Sequence, residues 1–270
     1  MTLAPAASPP LSLHYERIAV ERQLRDGRLL AQKLGLGRGA RVLELGCGTG
    51  MLAEILADAV GDKGEVLGLD ALPLRVQIAH QKARFNLRFQ VGDPYHLARF
   101  GDASFDFIVA NGVLHTWPDP AAALAACLRL LAPGGSLGLA THSAAHPHPA
   151  ALAQAEVLGQ WPYSQHPPPA EAREYALDAE QLEALLRGAG FERMHLYAQD
   201  ETLLHASAEA AIEFMQARAW GHFLNHLPAA LRAGARAEIV QRLQARRQPE
   251  GIRFDARQLF AMLDKAEAAT

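Results

Sequence analysis

Cysteine is scarce: Cys47 and Cys127 are the only two in 270 residues, so no disulfide framework is available and a reducing cytoplasm is the expected compartment. Long apolar runs are missing too. The richest stretch, Ala121 to Leu131, is broken by Arg129 and falls well short of the roughly 18 residues of a membrane span. Met1 to Pro10 has no basic n-region and no long apolar h-region, so no signal peptide is expected. Charge of one sign is not in excess: 26 Lys and Arg face 29 Asp and Glu, a formal net charge of -3. That balance disfavours a broad basic surface for nucleic acid. The sequence has no internal repeat.

What is present is a core-forming chain, half hydrophobic, long enough for one large α/β domain. Residues 1–10 are rich in Ala, Pro and Ser and are expected to be a disordered tail. Residues 11–270 then read as a single domain. Leu13, Ile18, Leu24, Leu29, Leu30 and Leu34 predict an amphipathic helix over Leu11–Leu36, ending at Gly35 or Gly37. After it the period alternates. Strands are predicted at Arg41–Leu45, Glu65–Leu69, Leu87–Val91, Phe105–Ala110 and Ser136–Ala140. Helices are predicted at Met51–Val60, Pro73–Phe85 and Pro120–Leu131, with Ala132-Pro133-Gly134-Gly135 as a tight turn. Such alternation implies βαβ units and a mostly parallel sheet. Residues 142–170 are rich in His, Pro and Ala and show no clear period. Leu177 to Gly188 reads as a helix and Phe191 to Tyr197 as the start of a sixth strand. Ala206 to Arg247 reads as mainly helical, interrupted near Leu227-Pro228. Propensity alone makes Ala256 to Ala269 helical.

The chemistry-bearing segment is Glu44-Leu45-Gly46-Cys47-Gly48-Thr49-Gly50, between a predicted strand and a predicted helix. Glycines there permit a tight turn and a close approach of ligand to backbone. An ordinary glycine turn is the plain alternative, but Asp70 closes the next strand, where a βαβ unit places a carboxylate against ribose hydroxyls. A dinucleotide is the rival ligand. Its fingerprint is G-x-G-x-x-G with a pyrophosphate on the helix N-terminus. Here the spacing is G-x-G-x-G, Met51 stands at the third-glycine position, and Glu44 would repel a pyrophosphate while favouring an ammonium. An adenosyl ligand with an amino-acid tail fits better.

Four segments in register then carry a resemblance. They are Glu44 to Gly50, Leu67-Gly68-Leu69-Asp70, Val91-Gly92-Asp93, and Phe105 to His115 followed by Leu131-Ala132-Pro133-Gly134-Gly135. Together they resemble the class I S-adenosylmethionine-dependent methyltransferases, near the ubiquinone/menaquinone C-methyltransferase-like group. The match is strong over about residues 14–143 and weak over 177–265. The resemblance implies a Rossmann-like doubly wound sheet, mostly parallel with an antiparallel seventh strand, so that the tail Ala256 to Leu263 is a strand despite its propensity. It implies helical covers inserted at 142–176 and 204–250, and S-adenosyl-L-methionine as cofactor. Glu44, Gly46, Cys47, Gly48 and Gly50 would line the methionine end. Asp70 would take the ribose hydroxyls, Ala71 and Leu72 would pack on adenine, and Gly92 and Asp93 would meet its edge. Asn111, with Gly112, would offer a carbonyl to the ammonium. Pro94 departs from the pattern. It stands where the family donates a backbone N–H to adenine N1, and proline has none.

The acceptor is less legible. His115 is a candidate general base, with packing as its plainer role. His14 and Tyr15 begin the first helix, which caps the site in the family, and are candidate pocket residues; Tyr15 and Asn111 stand with His115 as candidate catalytic residues. Trp117 is placed to face an acceptor. Leu158, Trp161 and Tyr163, and the stripe Phe214, Met215, Trp220 and Phe223, would cover one, although such a stripe also suits a core. His142, His146 and His148 lie too irregularly in a proline-rich loop to argue for a metal, so none is expected. Asn111-Gly112 is not the Asn-Pro-Pro-aromatic signature of nucleobase amino methylation, and the extra cysteines of arsenic methylation are missing. Arg232, Arg236, Arg242, Arg246 and Arg247 read as a solvated face. A small-molecule methyltransferase acting on O, C, N or S, as monomer or homodimer and without membrane attachment, is the leading reading. A macromolecule-directed or carrier-directed methyltransferase and a non-catalytic cofactor binder are the rivals.

Overall fold

The computed structural model describes residues 9–169, 174–218 and 222–267, without the side chains of residues 9–20, 217, 218 and 222. Residues 1–8, the bulk of the expected tail, therefore lie outside the described residues. Helix α1 runs Pro9–Leu34, starting two residues before the expected helix. The strands are β1 (Arg41–Leu45), β2 (Glu65–Asp70), β3 (Leu87–Val91), β4 (Phe105–Asn111), β5 (Leu131–His142), β6 (Arg193–His205) and β7 (Ile252–Asp264). Between them lie α2 (Met51–Val60), α3 (Pro73–Ala79), α4 (Pro120–Leu130), α5 (Pro149–Leu158), α6 (Ala179–Gly188), α7 (Ala208–Arg218), α8 (His222–Asn225) and α9 (Ala229–Ala245).

The sheet order is β3-β2-β1-β4-β5-β7-β6. β1 through β5 are parallel, and β7 runs antiparallel to β5, pairing Ser136 with Asp264 through His142 with Gln258. The tail is thus a strand, and propensity is overridden by its place in the sheet. Leu259, Phe260, Ala261 and Leu263 are all buried there, an environment a β-strand between two neighbours provides. β1 is covered on both faces, with Val42, Leu43 and Leu45 buried, as expected of the middle of a parallel sheet. On one face α2 buries Leu52, Ala53, Leu56, Ala57 and Val60 at helical spacing. On the other α4 and α6 bury Leu124, Cys127, Leu130, Leu182 and Leu186. Each such leucine contributes about 2–3 kcal/mol by leaving water. α6 is started by a capping box in which Asp178 accepts from Gln181 N at 2.9 Å and Gln181 returns the bond to Asp178 N at 3.0 Å.

Three expectations are corrected. Ala132 to Gly135 is a bulge inside β5 rather than a turn before it, and the register shifts between Phe105 and Phe107 to absorb it. The helix begun at Pro73 ends at Ala79 and passes through a short 3-10 turn, His80–Lys82, instead of reaching Phe85. The stretch 142–170 contains α5, capped by His148, whose ring accepts from Ala150 N at 3.1 Å.

The chain divides into two compact units: Val20–His142, Tyr175–Gln199 and Gln258–Thr270 form the sheet unit, and Met1–Ala19, Ser143–Glu174 and Asp200–Arg257 the helical unit. The helical unit has its own core of Ala150, Val157, Tyr163, Ile212, Met215, Phe223, Leu227, Ile239 and Leu243. Met215 and Phe223 thereby belong to that core, whereas Trp161 is 81 % exposed and Trp220 lies outside the described residues. The arginines of α9 are tied within the same unit. Arg242 and Arg246 pair with Glu156, and Arg232 donates to the carbonyls of Asn225 and Leu227.

Candidate active site

The site is built at the carboxyl ends of the parallel strands, where open α/β sheets bind ligands. β1 ends in three glycines with positive φ, Gly46 at 75°, Gly48 at 55° and Gly50 at 85°. A Cβ on Gly46 would overlap Val113, and one on Gly50 would lie 2.6 Å from the Phe89 ring, so both must be glycine for packing. A Cβ on Gly48 would meet nothing within 4 Å. The chain there turns a bare backbone toward open space, as a bound ligand requires. The loop is held from below: Gly46 N and Cys47 N both donate to Leu69 O, at 2.7 and 2.9 Å.

Two carboxylates flank this opening. Asp70, 4 % exposed, ends β2 and accepts from Gly48 N and Leu72 N, both at 2.9 Å. Arg75 on α3 stands 3.9 Å from its second oxygen. Burial raises the Asp70 pKa, against the opposing pull of Arg75 and the two amides. A carboxylate has about four acceptor positions, so the two backbone bonds leave room for a diol. Glu44, 3 % exposed, is in the opposite condition: its Oε2 is buried with no hydrogen-bond partner. Burial, and the nearby Asp70 charge, push its pKa up to about 8. A buried carboxyl without a donor is costly unless a cation or donor arrives.

These features fit S-adenosylmethionine. Its ammonium would answer the orphaned Glu44 oxygen, its ribose diol the Asp70 carboxylate, and its chain would cross the open side of Gly48. At the adenine end, Leu72 is buried in the protein, while Ala71 keeps partial exposure. Asp93 uses Oδ1 to accept from Tyr95 N at 2.9 Å and to meet His96 Nδ1 at 2.7 Å, a turn function that leaves Oδ2 for a ligand amine. Gly92 N donates to Asp70 O, which ties the β3 loop to β2 beside Pro94.

At the other end, Asn111 Nδ2 donates to Gln23 O at 2.8 Å, anchoring α1 to β4, and Gly112 N donates to Ala140 O at 2.8 Å. His115 sits in the turn Leu114–Thr116 and is 7 % exposed, with its ring edge-on to His142 at a centroid distance of 4.4 Å. Trp117 is buried in the sheet unit's core and not turned outward. The side chains of His14 and Tyr15 lie outside the described residues. Among the described residues no three His, Cys, Asp or Glu side chains converge as for a metal. His148 instead packs with His205, Phe214 and Phe254. Two members of the site, Arg75 and Gln23, escaped the sequence reading, and His142 was weighed there only as a metal ligand. Arg75 had a signal, a cation in the first turns after the β2 carboxylate. Gln23 acts through its backbone and had none.

Residues 15–196 match the family model described as a methyltransferase domain. Over 181 residues the chain is 35 % identical to the 2-phytyl-1,4-naphtoquinone methyltransferase of Thermosynechococcus vestitus, covering 61 % of this chain and 77 % of that one. It is 32 % identical to the demethylmenaquinone methyltransferase of Geobacillus kaustophilus, over 46 % of this chain and 56 % of the other. It is 36 % identical to the ubiquinone biosynthesis O-methyltransferase of Xanthomonas oryzae pv. oryzae, over 46 % and 50 %. The chain thus spans only about half the length of these last two relatives. Among solved structures, the YcgJ protein from Bacillus subtilis aligns with a TM-score of 0.65 at 18 % identity, over 90 % of this chain and 99 % of that chain. The [4+2]-cyclase SpnF aligns at 0.55 and 23 %, over 91 % and 82 %. At such identities these two speak for the fold alone.

Proposed function

This chain belongs to the S-adenosylmethionine-dependent methyltransferases, and from that premise we propose that it methylates a hydroxyl group on a small, ring-bearing acceptor, acting in the cytoplasm. The observation that carries the cofactor half is the unpaired, buried Glu44 Oε2 beside the open face of Gly48. The acceptor half is supported by relatives named for quinone substrates, one of them an O-methyltransferase. No described helix is long and apolar enough to cross a membrane.

S-adenosylmethionine supplies an electrophilic methyl group on a sulfonium that is already a good leaving group. The protein's work is therefore orientation, which is worth roughly 7–11 kcal/mol when two reactants are held in line. Glu44 and the 46–50 loop would hold the methionine end. Asp70, itself fixed by two amides and Arg75, would hold the ribose. The loops of β2 and β3 would take the adenosine and those of β1 and β4 the methionine. Held in this way, the cofactor would leave the β5 side of the sheet for the acceptor. We further propose that acceptor choice resides in the segments 142–176 and 204–250, which leave the sheet after β5 and around β6 and β7, together with α1.

The test is a product-detecting screen. Purified protein and methyl-labelled cofactor are incubated with a panel of catechols, quinols, thiols and amines and, in parallel, with cellular protein and RNA fractions, and labelled species are identified by mass. Label on the oxygen of a catechol or quinol is the expected result. Label on a protein or RNA fraction alone would favour a macromolecular acceptor.

A further inference from the structure

We infer that His142 is the group that takes the proton from the acceptor, with His115 behind it as a positioning residue. The inference rests on the hydroxyl reading above and names the proton acceptor that reading requires.

β4 and β5 are neighbours, and Asn111 pairs with Ala140. The chain leaving β4 reaches His115 four residues on, while β5 reaches His142 two residues on, so both imidazoles stand beyond the same two strand ends. They meet there at 4.4 Å between ring centroids and 70° between ring planes. In the strand order β3-β2-β1-β4-β5, the first three strand ends and Asn111 would be taken by the cofactor in the reading above, and the next end along is that of β5.

The two imidazoles differ in setting. His115 is nearly closed off, and its turn is fixed three ways. Thr116 N and Oγ1 both bond to Val113 O, at 2.8 and 2.7 Å, and His115 O accepts from Tyr175 N at 2.7 Å. His142 is the last residue of β5 and is partly exposed. Gln258 stands opposite His142 in the β7 register, and the backbone N–H of Tyr175 donates to His115 O. A general base must be accessible and held in one orientation within hydrogen-bond reach of the proton it removes. His142 has the access, and the edge of the His115 ring supplies the hold. Between Asn111 and Pro118, and between Gly138 and His142, these imidazoles are the only side chains that take up a proton near neutral pH. Glu44 and Asp70 are committed on β1 and β2.

The step balances without any further reagent. The acceptor O–H bond breaks and its proton passes to a ring nitrogen of His142. An oxygen lone pair forms the new bond to the methyl carbon, and the carbon–sulfur bond breaks with its electron pair left on sulfur. An alcohol and a sulfonium become a methyl ether, a thioether and one proton, which the imidazolium releases to water.

The experiment uses the full chain, 4-nitrocatechol as acceptor, and His142→Gln and His115→Asn. Calorimetry with S-adenosylhomocysteine first establishes that each variant binds cofactor product as the wild type does. If His142→Gln fails there, His142→Asn takes its place. The expected kcat loss for His142→Gln is roughly 10²–10⁴-fold at the acid end of the pH profile with KM little changed, and the acid limb moves up to the ionisation of the bound acceptor itself. For His115→Asn the limb moves less. A readout without turnover accompanies this. In the S-adenosylhomocysteine complex, nitrocatechol bound to the wild type should show phenolate absorbance at a lower pH than when bound to His142→Gln. Equal ionisation midpoints together with an unchanged kcat would overturn the assignment while leaving O-methylation standing. A wild-type protein that binds S-adenosylhomocysteine but methylates no hydroxyl acceptor would overturn the hydroxyl reading, and this inference with it.

Discussion

Glu44→Gln isolates the most strained charge in the site. In the native protein without ligand the Glu44 pKa is pushed from 4.5 up to about 8 by burial and by Asp70. Native protein therefore holds the proton where the unfolded chain has released it. The sign follows: this carboxyl favours folding at acid pH, and its contribution is lost as pH rises from about 4.5 to about 8. The full gap corresponds to about 5 kcal/mol at about 1.36 kcal/mol per pKa unit, an upper value because Asp70 titrates in the same field. Glutamine fills the same space and cannot ionise. Urea denaturation of both proteins without cofactor, from about pH 5.5 to about pH 9, should show the variant gaining on the wild type by a few kcal/mol across the window. The cofactor should reverse the ranking. Its ammonium loses a charge-assisted bond worth roughly 1.5–3 kcal/mol, so the variant binds about ten- to a hundredfold more weakly. Wild-type affinity should also climb by up to about tenfold per pH unit below pH 8, while the variant stays flat. Stability curves that run parallel over the whole range would refute the reasoning, since Glu44 would then be no more perturbed in the native state than in the unfolded one.

Asp70→Ala should weaken S-adenosylhomocysteine binding by at least about tenfold, because charge-assisted bonds of roughly 1.5–3 kcal/mol each are lost. His146→Ala, by calorimetry under the same conditions, should bind as the wild type does. Gly48→Ala and Gly46→Ala should separate cofactor binding from folding. The first, with open space at its Cβ, keeps the fold at a cost of about 1–2 kcal/mol for its left-handed backbone yet loses cofactor affinity. The second, driven into Val113, lowers the melting temperature itself. NAD should give no heat on titration where S-adenosylmethionine does, since Glu44 and the shortened glycine spacing oppose a pyrophosphate.

The parallel half of the fold was legible because each strand and helix there carries its own local signal. β1 is an apolar run closed by glycines, α2 repeats its buried positions at 52, 53, 56, 57 and 60, and Asp70 marks the end of β2. The tail was not legible by propensity. Ala256 to Asp264 holds residues that suit a helix, and only pairing with β5 makes it β7. α5 was missed because five histidines and prolines precede or open it, and its N-cap is His148, a cap not drawn from the usual Ser, Thr, Asp and Asn. In the site, carboxylates and glycines announced themselves by position. The pairing of His115 with His142 did not, since it joins a turn residue after β4 to the last residue of β5 through the register of the sheet.

The insertion of β7 between β5 and β6 also sets a timetable for synthesis. β5 is complete at residue 142, but its outer edge pairs with residues 258–264, and β6 has only β7 beside it in the sheet. While the ribosome makes the intervening hundred or so residues, the nascent chain carries an unpaired apolar strand, Leu137 to Thr141, whose backbone groups can join any other extended chain. Chains interrupted before Leu259 therefore keep that edge open. Their expected fate is aggregation or capture by chaperones, even though every residue of the cofactor loops has already been made.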